Sequence, residues 1–394
     1  MDPDVTARPI LLVALILSAC ATLVEQRFCE NDFFVIDARH DGGDLDACEF
    51  DSTNTVELTF RPEDYTVSDA FSWFSFRVTA KEAGVIQIRL KFPDAYARYW
   101  PKISTDGQNW QRAAEDSVTL TDNGKNMQLR LRVDDSGTWV SAQELVTQES
   151  YDQWFEELAA HAEIRTAVIG KSVEDRPIHV AKTANKPESV LLLGRQHPAE
   201  VPGALAMRQF VDVVLGDTEL ARQFRERYAL LIIPLLNPDG VANGNSRHNA
   251  GRVDLNRDWG PFTQPETRSV DRLMAAMDKL GMQPRLMLDF HATKMTPTMV
   301  FYTQVPEDNT NPPLFATTWM AGVGKRISNY EYTHDPRPPS GLDNTKNYFF
   351  SRYGIPAITY EIGDEADRDK VFEYTPVFAE EMMRVMLQAG PPET

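Results

Sequence analysis

The sequence predicts an antiparallel β-sandwich followed by an α/β domain, whose mixed, mostly parallel sheet has helices on both faces. Short alternating runs such as GVIQIRLKF and NMQLRLRVDD, separated by Gly, Asp and Asn turns, fill residues 30–146 and are typical of a sandwich. From about residue 150, continuous apolar strands alternate with amphipathic helices, as in a sheet that is covered on both faces. We therefore expect two domains, at residues 30–146 and 150–390.

Composition indicates a globular protein and argues against a nucleic-acid partner. The 394 residues are 42% hydrophobic and 25% charged, and the formal net charge is −18. Lysine and arginine do not cluster along the chain, whereas binding to phosphates needs a basic face. We therefore expect no nucleic acid among the partners.

The N-terminus resembles a bacterial lipoprotein signal. PILLVALILSAC, residues 9–20, is too short to span a membrane but suits the apolar region of a secretory signal. LSAC resembles a lipobox, which predicts a signal peptide at residues 1–19 and a lipid anchor on Cys20. The preceding MDPDVTAR is acidic where positive charge is usual. We expect a protein of the bacterial cell envelope, periplasmic or surface-facing, whose only membrane contact is the anchor; an uncleaved apolar N-terminus is the alternative.

The other two cysteines, Cys29 and Cys48, lie close together in sequence. In an oxidising compartment they could form a disulfide, and in a cytosol they would stay thiols. The sequence leaves both states open.

Residues with metal-binding or acid–base chemistry follow the apolar strands of the second domain. His197 and Glu200 come after ESVLLLG, His291 ends PRLMLDFH, and Glu361 lies in PAITYEIG. In such folds the working residues lie at the carboxyl ends of strands, so we expect these four on one rim. Two His and one Glu is the ligand set of a catalytic zinc that keeps a position for water. The remaining glutamate could then take a proton from that water and pass it to a leaving amine.

The span from about 150 to 390 resembles the zinc metallocarboxypeptidase family in several ordered motifs. HPAE and DFHAT resemble its two metal motifs, and ITYEIG resembles the segment with the catalytic glutamate. The resemblance implies one Zn²⁺ per chain, held by His197, Glu200 and His291, with Glu361 as the catalytic base. It also implies the C-terminus of a peptide or protein as the substrate.

GNSRHNAGRVDLNRDW, residues 244–259, resembles the family stretch that supplies three further roles. Arg247 matches the arginine that stabilises the oxyanion of the scissile carbonyl. Asn256 and Arg257 match the pair that binds the terminal carboxylate of the substrate, for which a guanidinium fork is well suited. Asp254 matches the carboxylate that orients a ligand histidine.

The β-rich region in front is similar to the cytosolic-carboxypeptidase branch, which trims glutamates. On that comparison Lys346 falls where the branch has a basic residue in its side-chain pocket, and a lysine there would favour an acidic C-terminal residue. A solvated lysine on a loop is the alternative. The tyrosine that pancreatic-type members fold over the substrate has no clear counterpart; Tyr348 is the nearest by position, and we leave it out of the site.

The expected function is zinc-dependent hydrolysis of the C-terminal peptide bond of peptides or proteins. One alternative uses the same scaffold, an N-acyl amino-acid amidohydrolase of the desuccinylase or aspartoacylase kind. Another is a catalytically inactive peptide-binding relative, which would lack a ligand or the base; the sequence lacks neither.

The remaining polar candidates are expected to be structural or solvated. We expect Asp289 on the strand face opposite the metal site, and Asp364 and Glu365 in a solvated turn. His248, next to Arg247, is expected on a loop, and the alternative is that it lines the cleft. NPDG, residues 237–240, predicts a turn. Four further histidines are expected to be structural or solvated: His40, His161, His179 and His334.

Overall fold

The computed structural model describes residues 27–64, 71–294, 298–328 and 331–390. The expected signal peptide and Cys20 lie outside these residues. Among the helices in these ranges, none combines the length and the apolar character that crossing a membrane requires.

The strands before the first helix form two sheets. One has the order β1-β2-β5-β11-β7-β8 and is antiparallel throughout, and the other has the order β3-β4-β6-β10-β9 and contains one parallel pair, β4 with β6. Their bounds are β1 (Phe28–Glu30), β2 (Phe34–Asp37), β3 (Ala47–Ser52), β4 (Thr55–Thr59), β5 (Ser75–Ala80), β6 (Gly84–Lys91), β7 (Lys102–Ser104), β8 (Gln111–Arg112), β9 (Val118–Thr121), β10 (Asn126–Val133) and β11 (Thr138–Ser141).

The alternation of the sequence decides which side chains enter the sandwich core. Along β10 every second side chain is buried, which is the period of a strand with one face on a core. Phe60, Phe74 and Phe76 lie in this core. The core also takes in Ala199 and Val201 from the second domain, so the two regions share apolar packing. Cys29 and Cys48, which the sequence left open, form a disulfide between β1 and β3.

The second region contains one eight-stranded sheet of order β12-β13-β15-β14-β16-β19-β17-β18, in which the central strands β15, β14, β16 and β19 run parallel. The strands are β12 (Arg165–Lys171), β13 (Pro177–Lys182), β14 (Glu188–Gly194), β15 (Tyr228–Ile233), β16 (Gln283–Thr293), β17 (Met299–Gln304), β18 (Tyr332–Arg337) and β19 (Ala357–Gly363). The helices are α1 (Gln148–Ala160), α2 (Val201–Leu215), α3 (Glu219–Arg227), α4 (Pro238–Asn243), α5 (Pro265–Lys279), α6 (Phe315–Gly324), α7 (Thr345–Tyr353) and α8 (Arg368–Gln388).

Helices cover both faces of this sheet, which confirms the predicted fold class. Val190 and Leu192 of β14 pack in a core shared with α2 and α8, whereas Leu191 and Leu193 pack in a second core with α5 and α7. A strand between two layers of helices must be apolar on both sides, and this explains the continuous run ESVLLLG.

Two details bring the helices close to the carboxyl ends of the strands. A Cβ atom at Gly203 of α2 would lie 2.4 Å from the carbonyl oxygen of His291, so glycine allows this helix to approach β16. NPDG, predicted as a turn, begins the short helix α4 instead. The side chain of Asn237 caps it by accepting a hydrogen bond from the amide of Gly240, and Pro238 takes the first helical position.

Candidate active site

Three predicted ligands meet at the carboxyl ends of two adjacent parallel strands. His197 follows β14, Glu200 directly precedes α2, and His291 lies near the end of β16, which pairs with β14. Each offers a ligand atom, and these atoms all lie within 4.8 Å of one another. Nδ1 of His197 lies 2.9 Å from Oε1 of Glu200, and Nδ1 of His291 lies 2.7 Å from the other oxygen, Oε2. All three side chains are buried.

The outer nitrogens of the two imidazoles face carboxylates. Nε2 of His197 lies 3.0 Å from Oδ1 of Asp254, and Nε2 of His291 lies 2.9 Å from Oδ2 of Asp289. A histidine that binds a metal through one ring nitrogen commonly donates from the other to a carboxylate, which fixes its tautomer and orientation. The donor set and its surroundings therefore fit a zinc ion between the two Nδ1 atoms and Glu200.

The contact with Asp289 corrects a prediction. We expected its side chain on the face of β16 away from the metal site, yet residues two apart on a strand point to the same face. Asp289 is fully buried and also accepts a hydrogen bond of 2.6 Å from Nε2 of Gln196. Asp289 therefore lies behind His291 in the same way as Asp254 lies behind His197.

Glu361 carries a carboxylate oxygen that is free to act. Its strand β19 pairs with β16 so that Glu361 lies opposite His291. Oε2 of Glu361 is buried and has no hydrogen-bond partner among the described residues. Burial, followed by the negative charge of Glu200, raises the pKa of Glu361 to about 8. A raised pKa near neutrality is typical of a carboxyl group that accepts and returns protons.

One cavity of about 1050 Å³ contains the three predicted ligands and Glu361 in its lining. The same lining includes Arg247, Asn256 and Arg257. The guanidinium of Arg247 donates to Oδ2 of Asp254 from Nε at 2.8 Å, with Nη2 at 2.7 Å from the same oxygen. Asn256 is buried, and its Oδ1 accepts from the amide and the hydroxyl of Thr345, both at 3.0 Å. Arg257 is exposed at the rim. The stretch 244–259 therefore delivers two arginines and an amide to the same cavity.

Lys346 also lines this cavity, and it is neither solvated nor on a loop. It occupies the first turn of α7, its side chain is buried, and Nζ donates to the carbonyl of Thr303 at 3.4 Å. Burial, followed by the nearby charge of Arg337, lowers the pKa of Lys346 to about 8. Arg337 lines the same cavity and lies over the ring of Tyr302, 4.1 Å from its centroid.

Two residues of the β-sandwich region reach the site, and no local pattern around either residue indicates this. The side chain of Arg98 is 7% exposed, and it donates from Nε to Oδ2 of Asp364 at 2.7 Å and from Nη2 to the carbonyl of Ala292 at 3.1 Å. Glu63 binds the loop that carries Arg247. The prediction of a solvated turn at Asp364 is therefore wrong, because this carboxylate is fully buried and forms an ion pair with Arg98.

The neighbouring Glu365 is also not simply solvated, since its carboxylate accepts from Nζ of Lys102 at 3.2 Å and Nε of Arg112 at 3.1 Å. Tyr348 packs against Trp259 and donates to Asp271, so it does not line the cavity. His248 lies on a loop and lines the cavity. The histidines expected to be structural or solvated do not line it: His40, His161, His179 and His334.

Two family models match the chain. The model described as zinc carboxypeptidase matches residues 151–380, which is more than half of the chain, and the model described as cytosolic carboxypeptidase N-terminal domain matches residues 36–142.

Relatives in sequence fall into two groups. An uncharacterised protein of Zymomonas mobilis is 25% identical over 83% of this chain and 87% of its own length. Cytosolic carboxypeptidase 4 of Homo sapiens is 31% identical over 32% of this chain, and cytosolic carboxypeptidase 6 of Mus musculus is 31% identical over 31%. The matches cover only 11% and 24%, respectively, of these two longer proteins.

Solved structures share the fold over nearly the whole chain. A metallo-carboxypeptidase from Burkholderia cenocepacia has a TM-score of 0.73 at 20% identity and covers 90% of this chain and 98% of its own. One from Pseudomonas aeruginosa has a TM-score of 0.71 at 22% identity and covers 89% and 97%. Both likenesses include the β-sandwich and the α/β region together.

Proposed function

Because the chain belongs to the zinc carboxypeptidase family, we propose that it hydrolyses the C-terminal peptide bond of peptides or proteins with one zinc ion. The observation that carries this proposal is the convergence of His197, Glu200 and His291 beside the free Oε2 of Glu361. The family match extends over the segment that contains all four residues.

Four side chains of the cavity then have a role in hydrolysis, alongside the zinc ion. Bound zinc acidifies water and polarises a carbonyl group. Glu361 accepts a proton from the attacking water and passes it to the leaving amine, for which a pKa near neutrality is suitable. Arg247 stabilises the negative charge that develops on the carbonyl oxygen. Asn256 and Arg257 bind the terminal carboxylate, and this contact restricts cleavage to the last residue.

We extend the proposal to a preference for acidic C-terminal residues. Six lysine and arginine side chains line the cavity, against the four carboxylates of Asp64, Glu200, Asp254 and Glu361: Arg98, Arg247, Arg257, Lys294, Arg337 and Lys346. On a chain with a net charge of −18, the cavity lining therefore has an excess of cationic side chains. Lys346 is the best placed to select the side chain, because it is buried in the wall near Arg337 and has no carboxylate partner of its own among the hydrogen bonds of the described residues.

A localisation in the bacterial cell envelope is part of the same proposal. The apolar run at residues 9–20 and the lipobox-like LSAC support a lipid anchor on Cys20. The disulfide between Cys29 and Cys48 supports an oxidising compartment. Radiolabelled palmitate should enter the wild-type protein in bacterial cells but not the Cys20→Ser variant, which should lose its membrane association. Equal labelling of both proteins would contradict the anchor.

The test of the function compares peptides that differ only at their C-terminus. Peptides with a free carboxylate should release their last residue, and release should stop when the same peptides are amidated or when zinc is removed with a chelator and return when zinc is added. Acylated amino acids serve as a third substrate for the amidohydrolase alternative. Equal turnover of amidated peptides would contradict the assignment of Asn256 and Arg257, and hydrolysis of acylated amino acids alone would contradict the peptidase.

A further inference from the structure

The carboxylate of Glu63 holds the loop that carries Arg247. Glu63 follows β4 in the β-sandwich region and its side chain is 12% exposed. The amides of Ser246 and Arg247 donate to it at 2.9 and 2.6 Å, the hydroxyl of Ser246 donates at 2.6 Å, and the amide of His248 donates as well. One carboxylate from another part of the chain thus satisfies three successive backbone amides of this loop.

These hydrogen bonds require the ionised carboxylate. Burial alone would raise the pKa of Glu63, but the hydrogen bonds from His248 and Ser246 lower it to about 2. The carboxylate is therefore ionised at neutral pH. No residue of the loop's own region supplies an equivalent acceptor for the three amides among the described hydrogen bonds.

Arg247 is fixed from two sides. Glu63 binds its backbone amide, while Asp254 binds its guanidinium through Nε and Nη2. Because the guanidinium extends from the backbone position that Glu63 sets, a shift of the loop would move it away from the carbonyl oxygen that it serves. A misplacement of about 1 Å in a positioned group can cost on the order of 100-fold in rate.

Other contacts hold the β-sandwich against the α/β region. Arg98 pairs with Asp364, and Ala199 and Val201 pack in the sandwich core. The contact between Glu63 and the loop can therefore be removed without separating the two regions, and its local effect on Arg247 can be measured.

We propose that Glu63 is a positioning residue that acts through Arg247, so that the β-sandwich completes the active site of the carboxypeptidase. The inference rests on the proposed function, in which Arg247 stabilises the developing oxyanion. Such a contact matters most in the transition state, so its loss lowers kcat more than it raises KM.

The test is the full-length Glu63→Gln variant, in which an amide NH₂ group faces backbone donors in place of a carboxylate oxygen. We expect kcat to fall about 10- to 100-fold, with KM within about twofold of wild type. Asp134→Asn is the matched control, because Asp134 caps a turn of the same sandwich by accepting from the amide of Ser136 at 3.0 Å. This control should keep the wild-type kcat. An unchanged kcat in Glu63→Gln would overturn the proposal.

A double-mutant cycle separates positioning from general damage. In an Arg247→Ala background, Glu63→Gln should cause little further loss of kcat, because the residue on which it acts is already absent. An equal loss in both backgrounds would show that Glu63 does not act through Arg247.

Hydrogen exchange tests the same contact without any substrate. In Glu63→Gln the amides of residues 246–248 should exchange faster than in wild type, while those of β14 and β16 stay protected. This result is independent of activity. If the wild type fails to hydrolyse any peptide, the proposed function fails, and exchange still decides whether Glu63 holds the loop; unchanged exchange would overturn the positioning role.

Discussion

Arg98 and Asp364 form a buried ion pair that joins the β-sandwich to the end of the strand carrying Glu361. Two nitrogens of the guanidinium donate to the two oxygens of the carboxylate, at 2.7 and 3.2 Å. Asp364 directly follows β19, and the same guanidinium donates to the carbonyl of Ala292, next to the ligand His291. One arginine therefore connects the ends of the two strands that carry His291 and Glu361, the proposed third ligand and the proposed base.

Replacing Arg98 with methionine should strongly destabilise the protein. The change removes the guanidinium that binds the buried carboxylate of Asp364, and breaking a buried ion pair in this way is expected to cost about 3–5 kcal/mol of unfolding free energy. Urea unfolding of wild type and variant measures this difference. Arg39→Met is the control, because the pair of Arg39 with Asp37 lies at the surface and its loss should change stability little. Equal stability of the Arg98 and Arg39 variants would contradict the importance of the buried pair.

Replacing Asp289 with asparagine should weaken zinc binding. The carboxylate lies 2.9 Å from Nε2 of His291, and loss of such a partner typically lowers metal affinity about 10- to 100-fold. Competition with a chromogenic chelator measures the affinity. Glu200→Gln, which alters a ligand itself, should lose more, and Asp271→Asn on α5 should bind zinc like wild type. Unchanged affinity in Asp289→Asn would show that this carboxylate does not support the ligand.

Replacing Glu361 with glutamine should stop catalysis and leave the metal in place. The amide cannot accept the proton of the attacking water, so kcat should fall about 10²- to 10⁴-fold. Zinc content per chain, measured by atomic emission, should match wild type because Glu361 is not one of the three clustered ligands. A variant that retained wild-type kcat would require another base.

The preference for acidic C-terminal residues should weaken above about pH 8. Burial lowers the pKa of Lys346 to about 8, so its positive charge is present below that pH and is lost as pH rises through it. The ratio of kcat/KM for peptides ending in Glu to those ending in Ala should fall over this range. In Lys346→Met the ratio should be low at every pH. A ratio that is the same in both proteins would assign the selection to another residue.

The convergence of His197, Glu200 and His291 could be predicted because local patterns and one topological rule suffice. The apolar runs before His197 and around His291 indicated buried parallel strands, and the carboxyl ends of such strands meet at one edge. The same rule placed Glu361 beside them. The burial of Lys346 was harder to predict, because it depends on how α7 packs over the cavity. From the sequence alone, a solvated position was equally compatible.

The contributions of the β-sandwich could not be predicted from the sequence. Arg98 and Asp364 are separated by 266 residues and Glu63 and Arg247 by 184, and nothing in the local pattern of either region indicates the other. Asp364 therefore had the appearance of a solvated residue after a strand. The error at Asp289 is of another kind, since the period of two along a strand already places it on the face of His291.

The shared packing of Ala199 and Val201 has a consequence for anyone dividing this protein. These two residues flank Glu200 directly, so the segment that carries this proposed metal ligand packs into the core of the neighbouring sandwich. A fragment that starts near residue 150 would expose Ala199 and Val201 to water, and Glu200 would lose the packing that holds its segment in place. We expect such a fragment to aggregate or to lose its zinc ion. The β-sandwich and the α/β region should therefore be treated as one folding and functional unit.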